Sequence, residues 1–148
     1  MFDGAIIPVN GDRVNGDRVN GVNPMSESHG QLQRDARLQT RQITPELIAY
    51  IVEKIARGVA PRQIILFGSH ARGESTDRSD LDLFIIQDSP ASDREVRRRI
   101  ESLLWGRRFG VDLIVRSPEE VARNVADGNP FYTRHILAEG QVLYERPA

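Results

Sequence analysis

The chain contains no cysteine among its 148 residues, which excludes disulfides and thiolate chemistry and agrees with a reducing compartment. Long apolar runs are missing too: nothing approaches the roughly 20 apolar residues that a bilayer crossing demands. Met1-Phe2-Asp3-Gly4 carries no basic flank leading into an apolar stretch, so neither secretion nor membrane insertion is expected and the cytoplasm is the expected location. Nor does charge of one sign dominate. Twenty basic and 21 acidic residues leave a formal net charge of -1, so attraction to a polyanion is not written into the chain and nucleic acid is not expected as a direct substrate. What remains is 39% hydrophobic and 28% charged residues, the composition of a soluble globular protein with a length suited to one core.

Two parts are expected. Residues 1–42 repeat Asn-Gly-Asp-Arg-Val between Asn10 and Val19, stay rich in Gly, Asn, Ser, Gln and Arg, and are too polar to bury a core. They predict a disordered arm, with the domain occupying residues 43–148. Thr44-Pro45-Glu46 then opens a helix: Thr caps, Pro is pre-set for the first turn, and the acid meets the positive end of the helix. Leu47, Ile48, Ile51, Val52 and Ile55 fall on one face, and Gly58 is the expected stop. Ile64-Ile65-Leu66-Phe67 is a short continuous apolar run, hence a buried strand. A second strand is expected from about Asp80 to Ile86, and a third at Val111–Val115. Between them, Ser92 with Glu95 forms a capping-box pattern, and Val96, Ile100, Leu103 and Leu104 make a helical stripe. A second box at Ser117 and Glu120, a helical piece at about Phe131–Ala138 and a terminal strand at Val142–Tyr144 complete an α/β (α+β) arrangement. Arg97–Arg99 reads as a solvated helix face, Trp105 as the edge of the core, and His29, His70 and His135 as surface or locally hydrogen-bonded residues without metal-ligand spacing.

The chemistry is concentrated between Ile64 and Ile86. Gly68-Ser69 follows the first strand, where glycine lets a phosphate approach the backbone and serine adds a hydroxyl donor. In Asp80-Leu81-Asp82, strand alternation puts both carboxylates on one side, about 7 Å apart. Like charges at that range repel, and a hard divalent cation such as magnesium would relieve them. Asp112, in the otherwise apolar third strand, needs a partner. If that strand lies beside the second, Asp112 can face the same cations and accept a proton from an attacking hydroxyl, while two metals clamp the entering and leaving oxygens. Arg72 is either a phosphate ligand or a surface partner of Glu74, and Ser79, just before the paired acids, is a candidate nucleotide contact.

Ile65-Leu66-Phe67-Gly68-Ser69-His70-Ala71-Arg72-Gly73 and Ser79-Asp80-Leu81-Asp82-Leu83 resemble the minimal nucleotidyltransferases of the DNA polymerase beta superfamily. The signature there is Gly-Ser, ten residues, Asp-x-Asp, and Ile136–Tyr144 is similar to their tail. The resemblance implies a small mixed sheet flanked by helices, a triphosphate held at Gly68 and Ser69, and magnesium, two ions, at Asp80 and Asp82 with Asp112 as the third acid. It also implies transfer of AMP from ATP to a tyrosine of a HEPN-domain toxin, the chain acting as antitoxin. The alternatives are a small-molecule, antibiotic-type nucleotidyltransferase, which would call for more chain or a composite site, and a non-catalytic antitoxin that neutralises its partner by binding.

Overall fold

The computed structural model describes residues 34–147; the repeat and His29, expected in the arm, lie outside the described residues. Helix α1, Pro45–Val59, begins where the sequence places it, with Thr44 Oγ1 accepting the Leu47 amide at 3.1 Å. It runs past Gly58 and closes on Ala60, which takes the left-handed conformation at φ 46°. The expected stop at Gly58 is therefore corrected. A Cβ on Gly58 would lie 2.5 Å from Leu103 Cδ1, so this glycine serves the close approach of another helix rather than a cap.

Strand β1, Gln63–Phe67, leads into a one-turn helix, α2, Ser69–Arg72, which is too short to leave a helical period in the sequence. Strand β2, Leu81–Ile86, is followed by α3, Asp93–Leu103, whose capping box is complete in both directions: Glu95 N to Ser92 Oγ at 3.1 Å and Ser92 N to Glu95 Oε1 at 3.3 Å. Strand β3, Val111–Arg116, precedes α4, Pro118–Ala126. Here only half of the expected box forms: Ser117 Oγ accepts the Glu120 amide, while the Glu120 carboxylate leans to within 3.8 Å of Arg116. The helical piece Phe131–Ala138 is a π-helix, a hydrogen-bonding pattern that apolar spacing over eight residues does not reveal. Strand β4, Gln141–Glu145, ends the fold.

The sheet order is β3-β2-β1-β4, with β1 antiparallel to both β2 and β4 and β2 parallel to β3. This is the mixed sheet expected from the sequence, and α3 supplies the crossover that a parallel pair requires. Both faces are covered, which is why β1 reads as a continuous apolar run. On one face Leu66, Leu83, Ile85 and Leu113 meet α1 and α3; on the other Ile65, Phe67, Phe84 and Ile86 meet Tyr132 and Ile136 of the π-helix. Strand alternation assigns Asp82 to the face of Phe84.

The domain begins before Ile43. Leu38 is 0% exposed in the core beneath α1 and α3, and the Asp35 carboxylate accepts hydrogen bonds from Tyr50 Oη and Lys54 Nζ. The Arg37 guanidinium sits 4.1 Å from the centre of the Tyr50 ring. One buried leucine in a polar stretch gives no period, so the segment read as arm. Trp105 is 41% exposed beneath Arg34, rather than at the core edge, whereas Arg97–Arg99 are exposed as expected. Among the described residues, no helix is long and apolar enough to cross a membrane.

Candidate active site

Gly68 leaves β1 at φ 77° and ψ -158°, a region that essentially only glycine occupies. There is a second reason for glycine. A Cβ at this position would fall 2.9 Å from Asp82 Cγ and collide with Asp82 Oδ2, so the carboxylate rests on the bare backbone of the turn. The register explains the approach, since Phe67 pairs with Asp82 across β1 and β2. Beyond it, Gly68 O accepts the amides of Ala71 at 3.0 Å and Arg72 at 3.1 Å. The amides of Ser69 and His70, at the head of that turn, come before the first intrahelical bond.

Asp82 and Asp112 are register partners on the parallel strands β2 and β3. Asp80 lies one residue before β2 rather than in it. Extending the same register back by one residue puts Asp80 beside Gly110, where a Cβ would fall 2.6 Å from Asp80 Cγ. Each of the paired acids is thus packed on a glycine: Asp82 on Gly68 and Asp80 on Gly110. The latter residue was missed by sequence reasoning, although an alignment of Asp82 with Asp112 in a parallel pair would have pointed to it. Asp80 and Asp112 are exposed and Asp82 is half-buried. Burial, followed by the charges of Asp112 and then Asp80, raises the proton affinity of Asp82, with His70 and Arg72 opposing.

The other candidates are placed less directly. Arg72 Nε donates to Glu74 at 3.0 Å, and its Nη1 lies 3.8 Å from Glu139, so it is engaged as an ion pair. Ser79 Oγ accepts the Thr76 amide at 2.9 Å and Ser79 N donates back to Thr76 O at 3.1 Å, which closes the loop before β2. His135 pairs locally with Glu139, Nδ1 to Oε1 at 3.3 Å, as a surface reading expects. His70 departs from that reading: its Nε2 is buried without a hydrogen-bond partner among the described residues. It lines an apolar groove of about 400 Å³ with Ile43, Ile48, Leu66 and Leu143.

An all-oxygen donor set with mutual repulsion, with Asp82 and Asp80 each seated on a glycine, suits a hard divalent cation. Among the described residues, however, no three His, Cys, Asp or Glu side chains are grouped so as to hold a metal ion by themselves. Magnesium commonly combines one or two carboxylates with waters and substrate phosphates, so the acids fit it as part of a shell rather than as a closed cage.

The profile of the nucleotidyltransferase domain family matches residues 48–143. A protein of Methanocaldococcus jannaschii named as a candidate protein adenylyltransferase is 38% identical over 85 residues, which span 56% of this chain and 78% of that protein. Among solved structures, a candidate nucleotidyltransferase of Sulfolobus solfataricus matches at a TM-score of 0.45 and 22% identity, over 66% of this chain and 76% of that one. A toxin-antitoxin structure with AMP-PNP matches at 0.39 and 21%, over 65% and 72%.

Proposed function

The chain belongs to the nucleotidyltransferase domain family, and we propose that it transfers AMP from ATP to a tyrosine hydroxyl of a partner protein, a HEPN-domain toxin, and so acts as its antitoxin. The observation that carries the transferase reading is the seating of Asp82 on the Gly68 backbone with Asp112 at the matching position of the next strand. The protein acceptor is supported by the name of the Methanocaldococcus jannaschii relative and by the likeness of the Gly-Ser, Asp-x-Asp and tail motifs to minimal nucleotidyltransferases.

In this reading Gly68 and Ser69 hold the triphosphate, and Asp80 and Asp82, with Asp112 as third ligand, hold magnesium. Two bound ions would neutralise the triphosphate and polarise both the entering and the leaving oxygen. Asp112, exposed at the sheet end, takes the proton of the acceptor hydroxyl as the oxygen bonds to the α-phosphorus. The bond from that phosphorus to the bridging oxygen breaks, and pyrophosphate leaves. Arg72 is the nearby cation available to a phosphate oxygen once it leaves its carboxylate partners.

The test mixes the protein with ATP labelled at the α-phosphate, magnesium and the product of the adjacent gene. Label on the partner, lost in the Asp80→Asn, Asp82→Asn double variant, supports the proposal. Label on small molecules alone would instead favour the antibiotic-type alternative. Neutralisation of the partner that persists in the double variant without any label would favour a binding antitoxin.

A further inference from the structure

Arg72 stands between two sets of negative charge. It ends α2, the turn that opens with Gly68 and Ser69, and it acts on Asp82 through its charge. Yet its guanidinium is turned to Glu74 and Glu139. Glu139 is held where it is. It follows the π-helix at the tight turn into β4, where a Cβ on Gly140 would lie 2.7 Å from Ile65 Cγ2. His135 meets its carboxylate from the preceding turn at 3.3 Å. On the other side of the joint, Gln141 Nε2 donates to Ala71 O at 2.9 Å and ties the start of β4 to α2. The backbone that carries Glu139 is therefore fixed by the fold, and its carboxylate lies between His135 and Arg72.

The geometry points to Glu139 as a positioning residue that, together with Glu74, keeps the Arg72 guanidinium aside in the empty protein and yields it to the polyphosphate when nucleotide enters. The inference rests on the nucleotide site proposed above. Both pairs are partly exposed, with side-chain exposures of 37% for Arg72, 65% for Glu74 and 34% for Glu139. Exposed ion pairs hold weakly and are screened by salt, whereas a guanidinium makes two parallel charge-assisted bonds to a phosphate. An incoming triphosphate thus outcompetes the carboxylates, and every carboxylate that competes weakens nucleotide binding.

Titration of a non-hydrolysable ATP analogue with magnesium into the full chain reads this directly. Glu139→Gln is expected to tighten the analogue by about 2- to 5-fold, the change that loss of one exposed competitor allows, and to lower KM for ATP by a similar factor. In an Arg72→Gln background, where binding is weaker, the same Glu139→Gln change is expected to do nothing. A Glu139 that merely braces the turn would give weaker binding in Glu139→Gln whether or not Arg72 is present, and that result overturns the inference. Unchanged binding in Glu139→Gln overturns it as well and leaves the transferase reading standing. A wild-type chain that binds no analogue overturns both.

Discussion

At the scale of single residues, the site is built by removing side chains as much as by supplying them. Gly68 and Gly110 each leave the gap that an aspartate carboxylate fills. Gly110→Ala should then displace Asp80 while leaving every acid in the chain, and a misplacement of about 1 Å can cost on the order of 100-fold in rate. The expected outcome is a fall in kcat of roughly that size with folding retained, checked by single-turnover transfer beside a thermal melt; full activity in this variant would break the link between the glycine and the acid. Asp82 carries the opposite trade. Its proton affinity is raised by burial and by Asp112 and Asp80, so the folded state binds protons more readily than the unfolded chain does. Stability is therefore lost as pH rises from the ordinary carboxyl value of 3.8 through the higher folded value. Asp82→Asn should abolish transfer yet raise the melting temperature of the metal-free protein at neutral pH, a rise read by thermal melts of the two proteins side by side. Added magnesium should narrow the gap by stabilising wild type alone. Spacing made Gly68, Asp80 and Asp82 legible, because Gly-Ser, ten residues and Asp-x-Asp sit in one stretch. Gly110 was not, because its contact with Asp80 depends on a pairing between strands 30 residues apart.

Elements were legible where their signals are local. Thr44 and Ser92 announce helix starts by the side-chain oxygen that takes a free amide, and both do so in the structure. The helical piece Phe131–Ala138 was legible but its π hydrogen bonding was not, the single turn of α2 is too short to leave a period, and the start of the domain depends on partners elsewhere in the chain. The short segment before α1 is held by Asp35. Burial pushes this carboxyl up, but the hydrogen bonds from Tyr50, Lys54 and the Arg37 amide outweigh it and leave the group below its ordinary value. A carboxylate lowered on folding stabilises fully above the unfolded value of 3.8, and that stabilisation disappears as pH falls through the lower folded value. Acid should accordingly detach this segment, seen by NMR as Leu38 methyl groups leaving their buried shifts. Tyr50→Phe, which removes one hydrogen bond for roughly 1 kcal/mol, should move that release to higher pH. A release midpoint unmoved by Tyr50→Phe would show that another contact holds the segment.

On the scale of the whole molecule, the sheet is a two-sided partition with the candidate acids at one end. The face toward α1 and α3 is closed by apolar packing, and the acids stand on the face shared with the π-helix. The order of elements could be read from the periodic segments and the mixed sheet was implied by the resemblance, but the extent of the core could not be read, because a residue's burial depends on what the fold packs around it. Leu38 and Trp105 depart from what their sequence surroundings suggest: a leucine in a polar stretch is buried, and a tryptophan beside an apolar helical stripe is 41% exposed. Leu38→Ala would open a hole in the core at 0% exposure, and truncations of this kind cost about 2–5 kcal/mol. Trp105→Ala, with the ring 41% exposed and touched by Arg34, should lie within about 0.5 kcal/mol of wild type, as surface changes usually do. Urea unfolding distinguishes them: the midpoint should fall sharply for Leu38→Ala with little change in slope, and barely move for Trp105→Ala. If the tryptophan variant proved the weaker of the two, the core would have to be redrawn around Trp105, and the segment at Leu38 would lose its place as the piece that closes the α1 side of the sheet.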